Sequence, residues 1–287
     1  MQVLASLIFV CYYAVIGEKL PLVKGSAEKI ENLPFQAQIT KNEYPICGGT
    51  LVSSLHVLTA AHCVYDIVQR FPHVYFKNIR VLVGSSFHGR GWSYGVRRVS
   101  HHRDYVDARI NTPYFIPNDV AVIQLARPVA FGPTVQPINL PAVAYSEVAD
   151  GKPVIVSGFG SSRYRARPSP VLKQMLTYVM PRDACQARYR KIILSSHLCT
   201  HRIPINRAAE FYDGTCSGDS GGPLVTADKK VIIGIVSGGY GGCESSYPNV
   251  FAKVSHYLQY IRSEMGYYTQ HPYWRSIHPS VGDMTAN

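Results

Sequence analysis

Two residues have the chemistry of a catalytic pair: Ser220, in the hexapeptide GDSGGP (218–223), and His62, in the upstream run TAAHC (59–63). A serine hydroxyl becomes a useful nucleophile only when a nearby imidazole removes its proton and fixed donors stabilise the oxyanion that forms. The glycines of the hexapeptide permit backbone conformations that turn main-chain N–H groups towards a reacting carbonyl. The pattern therefore indicates covalent catalysis with Ser220 as nucleophile and His62 as base. A Gly-rich turn between strands is the alternative explanation of the hexapeptide taken alone.

A third candidate, Asp119, is suited to orienting the imidazole and stabilising its cation. It stands directly before the run VAVIQL (120–125), which is apolar enough to be a buried strand. We therefore expect a carboxylate at the edge of a core. For this segment alone, an aspartate in an ordinary turn is the simpler explanation.

Short apolar or alternating runs between Gly, Pro, Asn and Ser predict the elements that must position these residues. The predicted strands cover 35–40, 49–52, 56–59, 79–83, 120–125, 154–158, 223–225 and 231–237. Only 254–265 is clearly helical, because Val254, Leu258 and Ile261 share one face before Gly266. Such a pattern is typical of an all-β antiparallel barrel or sandwich, and the length suits two small barrels in succession.

The N-terminal segment predicts secretion. Residues 1–16 contain no charged side chain, are short for a membrane span and are followed by Gly17 and Glu18, so we interpret 1–17 as a signal peptide. A buried N-terminal strand is the alternative. No other stretch is apolar enough to cross a membrane. The protein is therefore expected to be extracellular.

The cysteines agree with an oxidising compartment. Of the seven, Cys11 falls in the signal peptide, which leaves Cys47, Cys63, Cys185, Cys199, Cys216 and Cys243. Six cysteines in a secreted chain indicate three disulfides, whose pairing these arguments leave open. Zinc binding is a poorer explanation because there is no CxxC pair.

The chain of 287 residues is 46% hydrophobic and carries a formal net charge of +11. This composition supports a substantial core and argues against disorder. Its basic residues gather in the segments 97–103, 163–167 and 182–191. These clusters contain few aromatic residues, so nucleic acid is not an expected partner. We favour a solvated basic surface over weak binding of a polyanion, which stays as an alternative.

Taken together, TAAHC, NDVAVIQL (118–125) and CSGDSGGPLV (216–225) resemble the trypsin and chymotrypsin family of serine endopeptidases. The resemblance covers residues 22 to about 266. It implies two six-stranded antiparallel Greek-key barrels, a C-terminal helix and an active site between the barrels. It also implies disulfides between Cys47 and Cys63, Cys185 and Cys199, and Cys216 and Cys243. The sequence GFG (158–160) replaces the family's usual GWG.

The mechanism implied by the resemblance is peptide hydrolysis through an acyl-enzyme, with His62, Asp119 and Ser220 as the triad. The backbone N–H groups of Gly218 and Ser220 would form the oxyanion hole. This chemistry needs no cofactor and no metal. Some relatives bind calcium in a surface loop, but the segment 65–80 has few carboxylates for it.

The resemblance also locates a substrate pocket, at Gly214, Thr215, Ser237, Gly238, Gly239 and Asn249. A trypsin-like member has Asp at the position of Gly214, so the pocket is predicted to be uncharged and to accept large apolar residues. In this respect it is most similar to chymotrypsin-like or collagenolytic members of arthropod type. Asp213, one residue away, leaves a basic preference as an alternative. The segment 237–239 would pair with the substrate backbone, although Gly238 stands where the family usually has Trp.

Activation is the main departure from the family pattern. By register, a new N-terminus at Leu22 would pair with Asp219, but Pro21 precedes it in place of Arg or Lys. Cleavage after Lys19 would leave two extra residues, which a dipeptidyl peptidase that recognises Xaa-Pro could remove. We thus predict a propeptide at 18–21, a protease domain at 22–266 and a C-terminal extension at 267–287.

The expected partners are a protein or peptide substrate and protein inhibitors of proteases, and the protein is expected to be a monomer. A serine protease homologue that binds without catalysis is the alternative function. The complete set of triad residues argues against it. A polyanion-binding module that depends on the basic clusters is a third, weaker hypothesis.

Overall fold

The computed structural model describes residues 25–70, 75–161, 166–202, 214–240, 243 and 245–266. The predicted signal peptide, the propeptide, Leu22 and the C-terminal extension lie outside the described residues. So do Asp213 and two arginines of the second basic cluster, Arg163 and Arg165.

Antiparallel strands make up most of the described chain. They are β1 (Ser26–Ala27), β2 (Gln36–Lys41), β3 (Tyr44–Leu51), β4 (His56–Thr59), β5 (Ile79–Val83), β6 (Trp92–His101), β7 (Ala121–Leu125), β8 (Pro153–Gly158), β9 (Lys173–Met180), β10 (His197–Thr200), β11 (Pro223–Thr226), β12 (Ile232–Gly238) and β13 (Asn249–Lys253). Every strand predicted from the sequence overlaps one of these elements. The predictions omitted β1, β6, β9, β10 and β13.

These strands form two closed barrels. The first has the order β2-β3-β4-β7-β6-β5, and the second has the order β9-β10-β13-β12-β11-β8, closed by pairing of β8 with β9. The short strand β1 adds to β9. Each barrel is six-stranded, as predicted.

Alternating side chains explain why the barrels close around apolar cores. In β5, Ile79, Val81 and Val83 are buried while Arg80 is exposed. The period-2 geometry of a strand sends alternate side chains to opposite faces, so one face of β5 fills the barrel. The interior is lined on other strands by side chains such as Ile39 and Ile123, which are fully buried.

The helices are α1 (Ala61–Arg70), α2 (Arg182–Gln186) and α3 (Leu258–Glu264), with short 3-10 helices at Ile30–Asn32 and Tyr75–Asn78. The prediction of a single helix was wrong, because α1 follows directly from β4 and buries Val64 and Ile67 on one face. The predicted C-terminal helix begins later than expected. Residues 254–257 form a turn, in which the N–H of Tyr257 donates to the carbonyl of Val254 at 3.1 Å.

Three disulfides join elements near the barrel ends: Cys47–Cys63, Cys185–Cys199 and Cys216–Cys243. They are the pairs that the family resemblance implies. Among the described residues, no helix combines the length and the apolar character needed to span a membrane.

Candidate active site

His62 and Asp119 meet at the end of the first barrel. His62 is the second residue of α1, and Asp119 lies just before β7, with 1% of its surface exposed. The backbone N–H of His62 donates to Asp119 Oδ1 at 2.9 Å, and its ring Nδ1 lies 2.8 Å from Asp119 Oδ2. An ionised carboxylate only accepts hydrogen bonds, so Nδ1 carries the proton and Nε2 is left as the basic nitrogen. The two-point contact sets both the tautomer and the orientation of the imidazole.

The second barrel also contacts this carboxylate. Ser237 lies in β12, and its hydroxyl donates to Asp119 Oδ2 at 2.5 Å. Asp119 thus accepts hydrogen bonds from both barrels. A buried carboxylate is costly without such donors, and here the described donors satisfy both oxygens.

Burial and charge act in opposite directions on His62. Burial by itself lowers the pKa of the imidazole, but the charge of Asp119, its hydrogen bond and a smaller contribution from Asp107 outweigh it. The pKa of His62 is therefore raised above its ordinary value. Such a shift is expected of a base that must stabilise a positive charge during reaction.

We predict that kcat/KM falls at low pH with a midpoint above 6.5, the ordinary pKa of histidine. Protonated His62 cannot accept the proton of Ser220, and a raised pKa moves this loss towards neutral pH. The pH profile of kcat/KM measures the midpoint. Replacing Asp107 by Asn should lower it slightly, whereas Asp104→Asn serves as the matched control. A midpoint well below 6.5 in the unaltered enzyme would contradict the electrostatic argument.

Close backbone packing positions Ser220 near the end of the first barrel. The Ser220 carbonyl accepts a hydrogen bond from the N–H of Gly48 at 2.8 Å. Gly221 has φ +77°, and a Cβ there would lie 3.1 Å from the N of Ala60 and still closer to the hydroxyl of Thr59. A side chain at residue 221 would therefore push the serine loop away from the segment that leads into His62. Within the described part of the chain, the Ser220 hydroxyl has no hydrogen-bond partner.

Asp219 points away from Ser220 into the second barrel. Its Oδ1 accepts from the N–H of Gly160 at 2.8 Å, and its Oδ2 accepts from the N–H of Cys216 at 3.0 Å. Burial raises the pKa of Asp219 to about 6, although both hydrogen bonds and the charge of Lys173 act to lower it. A Cβ on Gly158 or on Gly160 would collide with the carboxylate, so the GFG segment encloses it.

A small cavity of about 40 Å³ adjoins Asp219. Its lining includes Gly25, Gly160, Lys173 and Gln174. This is more than the roughly 10–15 Å³ that one water molecule needs, so the cavity has room for a small polar group beside the carboxylate. Next to Asp219, Gly218 has φ +98°, a conformation that favours glycine at this turn.

The structure brings together several predicted pocket residues. Thr215 donates to Asn249 Oδ1 through its backbone N–H at 3.0 Å and its hydroxyl at 3.1 Å. Asn249 is fully buried, so its acceptor oxygen is engaged within the wall of the pocket. Near Gly238, where the family usually has Trp, a Cβ would lie 3.5 Å from Phe115 and 3.6 Å from Ile116. These two side chains therefore provide an apolar wall at this place.

Arg202 lies beside the predicted pocket residues and was not predicted from the sequence. It is only 8% exposed, and its guanidinium donates to the carbonyls of Cys243 and Thr215. A Cβ on Gly214 would lie 2.8 Å from its Nε and closer still to Nη1. A side chain from outside the motif thus places a buried guanidinium beside Gly214, whereas the prediction of an uncharged pocket, which stays a prediction, considered only the residues around Gly214. The only sequence signal for this contact is the position of Arg202 in the chain, two residues after Thr200.

One cluster has the composition of a metal site. Ligand atoms of Cys47, His62 and Cys63 lie within 4.8 Å of one another. The two sulfurs are bonded to each other in a disulfide, so they are not thiolate ligands. His62 is held by Asp119, and the cluster is better explained as part of the catalytic arrangement.

Residues 22–261 match the family model described as Trypsin. The chain belongs to the trypsin family. The vitellin-degrading protease of Bombyx mori is 35% identical to it over 247 residues, which are 86% of each protein. A trypsin of Phaedon cochleariae is 30% identical over 247 residues, 85% of this chain and 88% of that protein.

The solved structures agree with this family. Neuropsin, a serine protease expressed in the limbic system of mouse brain, superposes with a TM-score of 0.70 at 25% identity. The match covers 84% of this chain and 98% of neuropsin. The predicted family and fold are thus confirmed, and this trypsin-family chain is a serine endopeptidase.

Proposed function

We propose that the protein is a secreted endopeptidase that hydrolyses peptide bonds with Ser220, His62 and Asp119 as its catalytic triad. The observation that carries the proposal is the two-point hydrogen bonding of His62 to the buried Asp119. It leaves Nε2 of His62 as a base beside the loop that holds Ser220. The three disulfides support secretion, because such bonds persist in oxidising compartments.

In the proposed reaction, Ser220 Oγ attacks the scissile carbonyl while His62 Nε2 takes its proton. The backbone N–H groups of Gly218 and Ser220 stabilise the oxyanion of the tetrahedral intermediate. His62 then gives the proton to the leaving amine, and an acyl-enzyme remains on Ser220. Water, activated by the same imidazole, hydrolyses this ester and restores the enzyme.

An active-site titration with an activated ester tests the covalent step. An acyl-enzyme that forms faster than it hydrolyses releases a burst of leaving group equal to the concentration of active protein. We expect a burst of about one equivalent, as one nucleophile per chain requires. A protein that binds peptides without catalysis would give no burst, and this outcome would favour the alternative function.

We also propose that activation requires an N-terminus at Leu22, whose ammonium group pairs with Asp219. The first described residue, Gly25, lines the cavity beside Asp219. Leu22 precedes it by three residues, and an extended chain spans about 3.3–3.6 Å per residue, so the terminus can reach about 10 Å from Gly25. A positive charge there would compensate the buried carboxylate, whose pKa burial now raises.

The length of the N-terminus therefore controls activity. Protein beginning at Leu22 should be active. Protein beginning at Leu20 should have a kcat/KM that is lower by a factor of about 100 or more, since an unpaired buried charge is strongly unfavourable. N-terminal sequencing of the secreted protein identifies the natural start. Full activity of protein that begins at Glu18 or Leu20 would contradict the proposed pairing and the removal of Leu20–Pro21 by an Xaa-Pro dipeptidyl peptidase.

Substrate selection stays a prediction. The predicted preference for large apolar residues rests on the absence of Asp at position 214, and the buried guanidinium of Arg202 lies beside this glycine. Binding of protein inhibitors and of polyanions, and the monomeric state, also stay predictions.

A further inference from the structure

Lys173 is a partly buried cation at the beginning of β9. The residues Thr177 and Val179 of the same strand are buried, and Lys173 shares their face because successive side chains of a strand point to opposite sides. A lysine on such a face is unusual unless it is paired with an opposite charge. Among the residues that the structure describes, Lys173 forms no ion pair. Its ammonium group is therefore free to compensate a nearby carboxylate.

The carboxylate of Asp219 lies on this same face. Lys173 is the direct antiparallel partner of Gly158 in β8. The side chains of directly opposed residues leave a sheet on one face, with their Cβ atoms about 5 Å apart. A Cβ on Gly158 would collide with Oδ1 of Asp219. The side chain of Lys173 therefore leaves β9 on the side of the carboxylate, and its flexible stem can carry the ammonium group towards it.

Lys173 and Asp219 also line the same cavity of about 40 Å³. Burial raises the pKa of Asp219 to about 6, and the charge of Lys173 acts against this rise. The backbone N–H groups of Gly160 and Cys216 donate to the two carboxylate oxygens, but they bring no net charge. A buried carboxylate that lacks a compensating cation is strongly unfavourable. Lys173 is thus a described side chain whose charge stabilises Asp219 in its site.

The N-terminal segment reaches this cavity as well. Ala27 of β1 pairs with Lys173, and a Cβ on Gly25 would lie 3.2 Å from the Cβ of Lys173. The ammonium group of Leu22, in the pairing proposed above, would therefore meet the same carboxylate as Lys173. Of these two cations, the ammonium group of Leu22 exists only after the preceding residues are removed.

We propose that Lys173 is a positioning residue that compensates Asp219 before the N-terminus is trimmed to Leu22, so that the untrimmed enzyme keeps a fraction of its activity. The inference rests on the proposed function, because it concerns the regulation of the same active site. Asp219 stands between Gly218 and Ser220, whose backbone N–H groups form the proposed oxyanion hole. A cation that keeps the carboxylate in its site therefore keeps these donors in place. Once the chain begins at Leu22, the new ammonium group supplies the charge and Lys173 contributes little.

The rate constant for labelling of Ser220 by a fluorophosphonate tests the proposal in two forms of the protein, one that begins at Leu20 and one that begins at Leu22. Lys173→Met keeps a long side chain and removes its charge. In the protein that begins at Leu20, we expect this variant to label about 10-fold more slowly, the effect of losing one partly screened charge. In the protein that begins at Leu22, the rate should change by less than about twofold, since the terminal ammonium group compensates Asp219.

Two further variants separate the charge of Lys173 from its packing. Lys173→Arg keeps the charge and should restore most of the labelling rate of the protein that begins at Leu20. Lys152→Met removes a charge from an exposed side chain directly before β8, so it is the matched control and should leave both rates unchanged. Equal slowing of both forms by Lys173→Met, or a Lys173→Arg variant as slow as Lys173→Met, would show a merely structural role and overturn the proposal. Labelling of the protein that begins at Leu20 would also contradict it if it were undetectable, or unaffected by Lys173→Met.

The unaltered protein that begins at Leu22 separates failure of this inference from failure of the proposed function. If it labels, while labelling of the protein that begins at Leu20 does not depend on Lys173, then Ser220 is a working nucleophile and only the inference is wrong. If it does not label although it is folded, both the inference and the proposed function are overturned. Labelling of Lys173→Met in the form that begins at Leu22 also shows that this variant is folded at its active site.

Discussion

Replacing Ser220 by alanine is expected to lower kcat by about 10⁶-fold. The substitution removes the oxygen that forms the acyl-enzyme, and no neighbouring group can replace it. The backbone contact of residue 220 with Gly48 does not depend on the side chain, so the loop should keep its place. Steady-state hydrolysis of a peptide that the unaltered enzyme cleaves measures the loss.

Ser263→Ala is the matched control for this variant, because its hydroxyl contacts only the carbonyl of Tyr260, in α3, among the described residues. It should retain the activity of the unaltered enzyme. Binding of a peptide inhibitor to Ser220→Ala should also persist, which distinguishes loss of chemistry from loss of folding. Residual hydrolysis within tenfold of the unaltered enzyme would contradict the assignment of the nucleophile.

Replacing Asp119 by asparagine is expected to lower kcat by about 10⁴-fold while the fold is kept. The carboxylate accepts from the backbone and the ring of His62 and from Ser237. An asparagine side chain has a single acceptor oxygen, so its NH₂ group would face at least one of these donors. The imidazole then no longer carries its proton on Nδ1, and Nε2 is not free to receive the proton of Ser220.

Ser237→Ala distinguishes the two contributions of Asp119, which orients His62 and connects the two barrels. It removes one donor to Asp119 but leaves both contacts of His62, and so it should cost much less activity than Asp119→Asn. The ratio of kcat between these two variants is the informative quantity. Equal losses would mean that connecting the barrels, rather than orienting His62, is the main contribution of Asp119.

The strands were predictable where the residues of a single segment showed the pattern of a strand. The strands at His56–Thr59 and Ile79–Val83 have the predicted bounds, because apolar residues end there at polar ones. The strand β6 (Trp92–His101) was missed, since its exposed side includes Arg97 and Arg98 and hides the alternation. Helix α1 was not predicted, although Val64 and Ile67 are buried on one of its faces. The family resemblance, rather than periodicity, supplied the two-barrel arrangement.

The residues of the candidate site also differ in whether the sequence could predict them. His62, Asp119 and Ser220 belong to motifs and could be named from residue types and spacing. Arg202 belongs to no motif and reaches the pocket only through the path of its side chain. The place of Phe115 and Ile116 beside Gly238 likewise depends on how distant segments pack. Residues of this second kind belong to no local pattern, and so the sequence alone could not predict their positions.

The most direct test of the proposed catalysis is intact-mass analysis of protein that begins at Leu22 after reaction with a fluorophosphonate. We predict one adduct per chain, which peptide mapping places on Ser220, and no adduct on Ser220→Ala. Protein that begins at Leu20 should react much more slowly, since its ammonium group cannot pair with Asp219. The absence of an adduct on folded protein that begins at Leu22, or equal labelling of Ser220→Ala, would contradict the triad assignment.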